Sequence, residues 1–340
     1  MRFIIYGAGS VGSVLGGYLA LAESNVVLVG RRQHVTCITQ NGLLLQDRDG
    51  EHIIRLEAVE SIRDISLDER DVVFLCVKSQ DTEIVIAELT EQASPELPMF
   101  CFQNGVRNEE TASQFFRNVY GVVVEIGGRY VAPGEVIHYA SRAVIMGCYP
   151  QGLDERLQSV RRALEAAGCN ATLSPKVMAA KWSKLIVNLC NAFYAITGLS
   201  IPDAHRFLDS KAYLADVMEE GIRVLEAAGI DHEALPGQVS LREKIERLRQ
   251  PEPIQLWPED PGFPFYPSTW QDLQLRRGTT ETAFLNGEII AIGRQIGVPT
   301  PLNGLLVNLI DDMAAKGEQP GKHTVDELRA MSGSDNAVER

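Results

Sequence analysis

The chain has no apolar run approaching the roughly 18 to 20 residues needed to cross a bilayer. Its opening stretch, Met1 to Gly9, turns glycine-rich too soon to act as a secretion signal. Both features lead to the expectation of a cytoplasmic protein with no membrane partner. The six cysteines (Cys37, Cys76, Cys101, Cys148, Cys169 and Cys190) include no C-x-x-C, and the six histidines show no ligand spacing. A disulfide frame and a metal site are therefore not expected, and the cysteines read as small core residues in a reducing compartment. Basic charge is also scarce. Lysine and arginine total 32 against 45 acidic residues, a net charge of −13 over 340 residues. A nucleic-acid binder needs a concentrated basic face, so that class is set aside, while local pockets for phosphate remain open. At about 150 residues per domain, the length predicts two domains.

What is present is an alternation of β-type runs and helical spacing. Arg2 to Tyr6, Asn25 to Val29, Val72 to Val77 and Met99 to Phe102 are short apolar runs. Helix-spaced residues such as Val11, Val14, Leu15 and Tyr18 separate the first two. This pattern predicts parallel βαβ units. Gly42 to Leu45 and His52 to Leu56 read as a hairpin, and Val119 to Glu125, Val136 to Tyr139 and Ala143 to Gly147 as three further strands. Ser174-Pro175 marks the expected junction. Beyond it the chain reads as helical, with long helices predicted over Ala179 to Ile196 and Thr280 to Ile296. The expected fold is α/β: an N-terminal Rossmann-type dinucleotide-binding domain over 1–174, an all-helical domain over 175–332 and a flexible tail over 333–340.

Gly7-Ala8-Gly9-Ser10-Val11-Gly12 fits G-x-G-x-x-G, follows a β-run and opens a helix. The first glycine allows the tight turn, the second lets a pyrophosphate approach and the third lets helix and strand pack closely. The alternative is a glycine turn in an unrelated α/β fold. The second β-run ends in Gly30-Arg31-Arg32, where NAD enzymes usually carry an acid for the ribose. Guanidinium groups there suit the 2′-phosphate of NADP(H), or are simply exposed arginines. Lys78 and Asn104 end the third and fourth parallel runs, where ligands bind in open α/β sheets. A solvated lysine and a plain Asn-Gly turn are the bland readings.

At about 100° per residue, Lys181, Lys184, Asn188 and Asn191 fall on one narrow face of an otherwise apolar helix. Buried polar groups need partners, which a cleft between domains would provide, although a solvent-facing stripe fits as well. Glu281 sits at a helix start, where it either favours the dipole or enters the site.

These pieces, in this order, resemble the ketopantoate reductase (2-dehydropantoate 2-reductase) family, within the wider 6-phosphogluconate dehydrogenase-like group. The matching motifs are G-A-G-S-V-G, Arg31, V-K at 77–78, Q-N-G at 103–105 and P-G-x-V at 133–136. K-L-x-V-N at 184–188 and T-E-x-x-x-x-N-G at 280–287 complete them. The resemblance implies NADPH-dependent reduction of a 2-keto acid to a 2-hydroxy acid, as in pantothenate biosynthesis. It also implies that Lys184 donates a proton to the keto oxygen and that Glu281 contacts the substrate hydroxyl. Asn188 would bind substrate, and Lys78 and Asn104 would line the nicotinamide and ribose. This chain has Ala192 where a second asparagine is common, with Asn191 beside it. Its counterpart of the substrate serine is offset by one residue, so Ser268 and Thr269 compete for that role. Trp257, Phe263, Phe265 and Tyr266 cluster just upstream. They either remodel the substrate pocket or anchor a loop. The rivals are a paralogue acting on another 2-oxo or 2-hydroxy acid and a non-catalytic NADP-binding regulator. The sequence leaves open whether the chain works as a homodimer.

Overall fold

The first strand shows how the sheet is built. In β1 (Arg2–Tyr6), Phe3 and Ile5 point into one apolar cluster with Val14 and Leu15. Ile4 and Tyr6 point into another, with Val85, Ile86 and Leu89. A period of two with both faces covered reads in sequence as an unbroken apolar run. Each fully buried Phe, Leu or Ile contributes roughly 1.5–3 kcal/mol, so strands like this are the core.

The computed structural model describes residues 1–254 and 265–334. The chain divides into two compact units, Met1–Lys181 and Trp182–Arg340. After β1 come α1 (Ser10–Leu21), β2 (Asn25–Val29), α2 (Arg32–Asn41), β3 (Leu43–Asp47), β4 (Gly50–Ile54) and β5 (Glu57–Val59). These are followed by β6 (Asp71–Leu75), α3 (Thr82–Thr90), β7 (Met99–Cys101) and α4 (Asn108–Ser113). Then come β8 (Val119–Ala132), β9 (Glu135–Cys148), α5 (Glu155–Ala166), β10 (Asn170–Leu173) and α6 (Val177–Asn188). The strand order is β4-β3-β9-β8-β7-β6-β1-β2-β5, with β10 beside β9. β1 pairs in parallel with β2 on one side and β6 on the other, Ile4 lying opposite Val27 and Val73. The chain thus reverses its direction of winding at β1, which makes the end of β1 a topological switch point.

The hairpin expected near 42–56 is present as β3 and β4. The three short strands expected over 119–147 are instead two strands of 14 residues each. Register shifts between Ile126 and Gly128, and between Tyr130 and Ala132, interrupt the alternation that sequence reading depends on.

The second unit is helical, as expected. It contains α7 (Asn191–Thr197), α8 (Ile201–Ala204), α9 (Leu208–Ala227), α10 (Leu241–Arg249) and α11 (Ser268–Gln274). α12 (Asn286–Ile296), α13 (Pro301–Ala315) and α14 (Val325–Ser334) follow. Two expected helices are interrupted. The one over 179–196 breaks between α6 and α7. The one over 280–296 starts with a 3₁₀ turn at Thr282–Phe284, and Leu285, at φ −113° and ψ −85°, precedes α12. α12 ends at Gly297, which adopts the left-handed conformation at φ +75°. Trp257, Phe263 and residues 335–340 lie outside the described residues.

One buried histidine ties the start of α1 to the sheet. His34 Nδ1 accepts the Gly134 N–H at 2.8 Å, so Nε2 carries the proton and donates to Ser13 Oγ at 3.0 Å. Burial lowers the imidazole from 6.5 to about 4. Between those values the unfolded chain takes up a proton that the folded chain does not. Stability is therefore complete above pH 6.5 and falls by up to about 3 kcal/mol as the pH drops to 4. Denaturant unfolding at pH 7 and pH 4.5 should show this loss. His34→Asn, which keeps an acceptor for Gly134, should show less of it. An equal loss in both proteins would exclude His34 as its source.

Candidate active site

The phosphate-type loop follows β1 at the switch point. Gly7 has φ +111°, and a Cβ there would lie 2.6 Å from the Val77 nitrogen. A Cβ on Gly12 would lie 2.2 Å from the Gly7 carbonyl oxygen. A Cβ on Gly9 would meet nothing within 4 Å, so the loop is open at its middle glycine. The first turn of α1 holds no acid, and Gly9 offers no side-chain cap. Its N–H groups and the positive end of the helix dipole are thus left for an anion. Ala8, Ser10 and Val11 complete the loop. This open cradle fits a dinucleotide pyrophosphate.

At the end of β2, Arg31 is exposed and precedes the first turn of α2. Arg32 lies 3.8 Å from Glu60, both exposed. Glu60 follows β5, which pairs with β2 so that Val29 faces Val59. Sequence reading missed this acid, because only strand order brings residue 60 beside residue 30.

Lys78 and Asn104 follow β6 and β7, both half-buried. A polar network joins their two loops. Gln103 Nε2 donates to the Val77 carbonyl at 2.9 Å and to Thr82 Oγ1 at 2.8 Å. Thr82 Oγ1 donates to Asn108 Oδ1 at 2.8 Å. Asn108 Nδ2 donates to the Asn104 carbonyl at 2.8 Å, and Ser79 Oγ donates to the same carbonyl at 3.2 Å. The structure therefore brings together the glycine loop, Lys78 and Asn104 at the carboxyl ends of adjacent strands.

On α6 the expected polar face divides. Lys181 is only 3% exposed and pairs with the fully buried Glu109. It belongs to the first unit and is no part of an open stripe. Lys184 is half-buried, and Asn188, one turn further, is buried. Asn191 is the first residue of α7, so it does not continue the α6 face. At the break, Asn286 Nδ2 donates to the Leu189 carbonyl at 3.0 Å, and the Cys190 N–H turns back to the Val187 carbonyl at 3.3 Å. Asn286 also donates to Asn303 Oδ1 at 2.8 Å. Glu220, 1% exposed, accepts from the Leu302 and Asn303 backbones and from Asn303 Nδ2. Glu281 is buried directly before the 3₁₀ turn rather than in a helix. Asn286 thus anchors the segment carrying Glu281 to the end of the helix carrying Lys184 and Asn188. Its motif was visible in sequence, but its role was not. Ser268 begins α11 half-buried, whereas Thr269 is 1% exposed. Tyr266 and Trp270 stack beside them, with centroids 3.9 Å apart and planes at 12°.

A glycine cradle at a switch point, ringed by polar strand ends, defines a dinucleotide-binding α/β protein. Residues 3–151 match the family profile described as ketopantoate reductase PanE/ApbA, and residues 176–314 match its C-terminal profile. A PanE/ApbA family ketopantoate reductase structure from Ralstonia eutropha JMP134 is 30% identical, with a TM-score of 0.78. That match covers 93% of this chain and 99% of the other. The 2-dehydropantoate 2-reductase of Pyrococcus horikoshii is 27% identical over 315 residues, 91% of this chain and 96% of that one. D-mandelate dehydrogenase, solved with NADH and anilino(oxo)acetate, shares the fold at 22% identity and a TM-score of 0.80, covering 93% of this chain and 99% of that one. The chain belongs to the ketopantoate reductase family. Among the described residues no cluster of His, Cys, Asp and Glu is arranged to hold a metal, and no helix is long and apolar enough to cross a membrane.

The glycine geometry predicts a separation of effects. Gly12→Ala should destabilise the protein by at least about 2 kcal/mol, because a methyl group is forced against backbone. Gly9→Ala should leave the melting temperature unchanged and weaken cofactor binding. Melting curves with and without cofactor distinguish the two. Equal destabilisation by both substitutions would contradict the assigned geometry.

Proposed function

We propose that the protein catalyses NADPH-dependent reduction of a 2-keto acid to a 2-hydroxy acid, with 2-dehydropantoate as the substrate the family relation favours. The observation that carries this reading is family membership spanning both units, with Lys184 half-buried on the mostly apolar α6. Residues 1–174 act as the cofactor domain and 175–332 as the substrate domain. Gly7 to Gly12 hold the pyrophosphate, and Arg31 pairs with the 2′-phosphate that distinguishes NADP(H) from NAD(H). Lys78 and Asn104 line the nicotinamide and ribose.

When bound, the nicotinamide supplies a hydride to the keto carbon. Lys184 gives its proton to the keto oxygen, and its positive charge stabilises the alkoxide as it forms. Solvent then restores the lysine proton. Glu281 accepts a hydrogen bond from the substrate hydroxyl, and Asn188 orients the acid. Of the two hydroxyl candidates in α11, Ser268 takes the substrate role, since Thr269 is packed away.

A second reading keeps the chemistry and changes the substrate. The stacked Tyr266 and Trp270 flank Ser268 and Thr269, and a small branched keto acid needs little aromatic surface. A panel of 2-keto acids, followed by loss of NADPH absorbance, decides between the readings. Turnover of 2-dehydropantoate above about 1 s⁻¹ with a sub-millimolar KM would remove the second.

Lys184→Ala should lower kcat by about two to four orders of magnitude while NADPH binding is kept. Unchanged turnover would remove Lys184 from the reaction. Arg31→Ala should raise the KM for NADPH far more than that for NADH. A parallel rise in both would reassign cofactor choice away from Arg31.

A further inference from the structure

The Lys181–Glu109 pair is an unusual choice for a core. Glu109 is 0% exposed and Lys181 3%. Besides its ion pair with Glu109 Oε1, the lysine ammonium donates to the Gln103 main-chain carbonyl at 3.1 Å. Glu109 Oε2 has no hydrogen-bond partner. Burial pushes the Glu109 carboxyl up, and the Lys181 charge opposes that shift. Buried ion pairs are a weak source of stability, because desolvation offsets their attraction, and this pair is not fully satisfied. Apolar residues of similar volume would hold the core at least as well.

The pair does provide direction. Gln103 directly precedes Asn104, and the Gln103 side chain joins the network that closes the Lys78 loop against the Asn104 loop. The ammonium that grips this strand end stands on α6, and Lys184 lies one turn further along the same helix.

We propose that Lys181 is a positioning residue for keto-acid reduction: with Glu109 and the Gln103 carbonyl it locks the start of α6 to the strand end carrying Asn104, and Lys184 inherits that lock. This inference rests on the functional reading above. A geometric lock and a purely structural pair respond differently when the charges are removed together. Lys181→Met leaves a lone buried carboxylate and should lower both the melting temperature and kcat. The double variant Lys181→Met/Glu109→Gln removes that carboxylate charge and should regain most of the lost melting temperature.

The expected result is that kcat of the double variant stays about tenfold to a hundredfold below wild type. KM for NADPH should change by less than kcat, because the glycine loop and Arg31 are untouched even though the strand end carrying Asn104 is released. With NADPH deuterated at the transferred position, the isotope effect on kcat should rise as hydride transfer becomes limiting. A double variant with wild-type kcat and isotope effect would overturn the proposal and leave a structural pair. Should the double variant not fold, Lys181→Arg decides the matter. It keeps the charge but replaces a compact ammonium with a longer planar fork. A folded Lys181→Arg protein with lowered kcat supports the lock, and one with wild-type kcat overturns it. Failure of the functional reading looks different: the wild-type protein itself turns over no 2-keto acid, which removes the inference with it.

Discussion

Burial of the central strands on both faces is the constraint from which the first unit follows. β1, β2, β6 and β7 have apolar layers on either side, so a polar side chain within them would be left unpartnered. Polar chemistry is pushed to the strand ends. There, one chain reversal at β1 opens a crevice, and the glycine loop, Lys78 and Asn104 collect around it. The hydrogen-bond network from Gln103 to Ser79 then holds two loops that the sheet alone would leave independent.

Much of this was legible in sequence because it is local. The glycine loop needs only six consecutive residues after a β-run, and strand-end residues follow from the runs themselves. The interruptions in the helices were not legible. Leu189-Cys190 contains neither glycine nor proline, and the apolar spacing continues across it. At the break the Leu189 carbonyl accepts from Asn286, nearly a hundred positions away, a partner that spacing does not reveal. Lys181 was grouped with Lys184 for the same reason: spacing places both on one face, but only the tertiary fold shows that the first is already held by Glu109.

Cofactor choice shows a similar divide between near and distant sequence. The arginines after β2 are visible at once, while Glu60 reaches the same strand end from β5. The Arg32–Glu60 pair is exposed and nearly 4 Å long, so it holds neither residue firmly. Arg31 makes no ion pair among the described residues, and the two arginines are therefore not equivalent.

In the second unit, Asn303 donates to Glu220 and accepts from Asn286, a chain of bonds that ties α9, α12 and α13 to the end of α6. None of these bonds uses a residue between α10 and α11. The start of that segment is nevertheless held by α9, where Lys211 donates to the Gln250 and Glu252 carbonyls. A change of length at the start of that segment must keep these two carbonyls in place, or Lys211, fully buried in the same helix as Glu220, loses its acceptors.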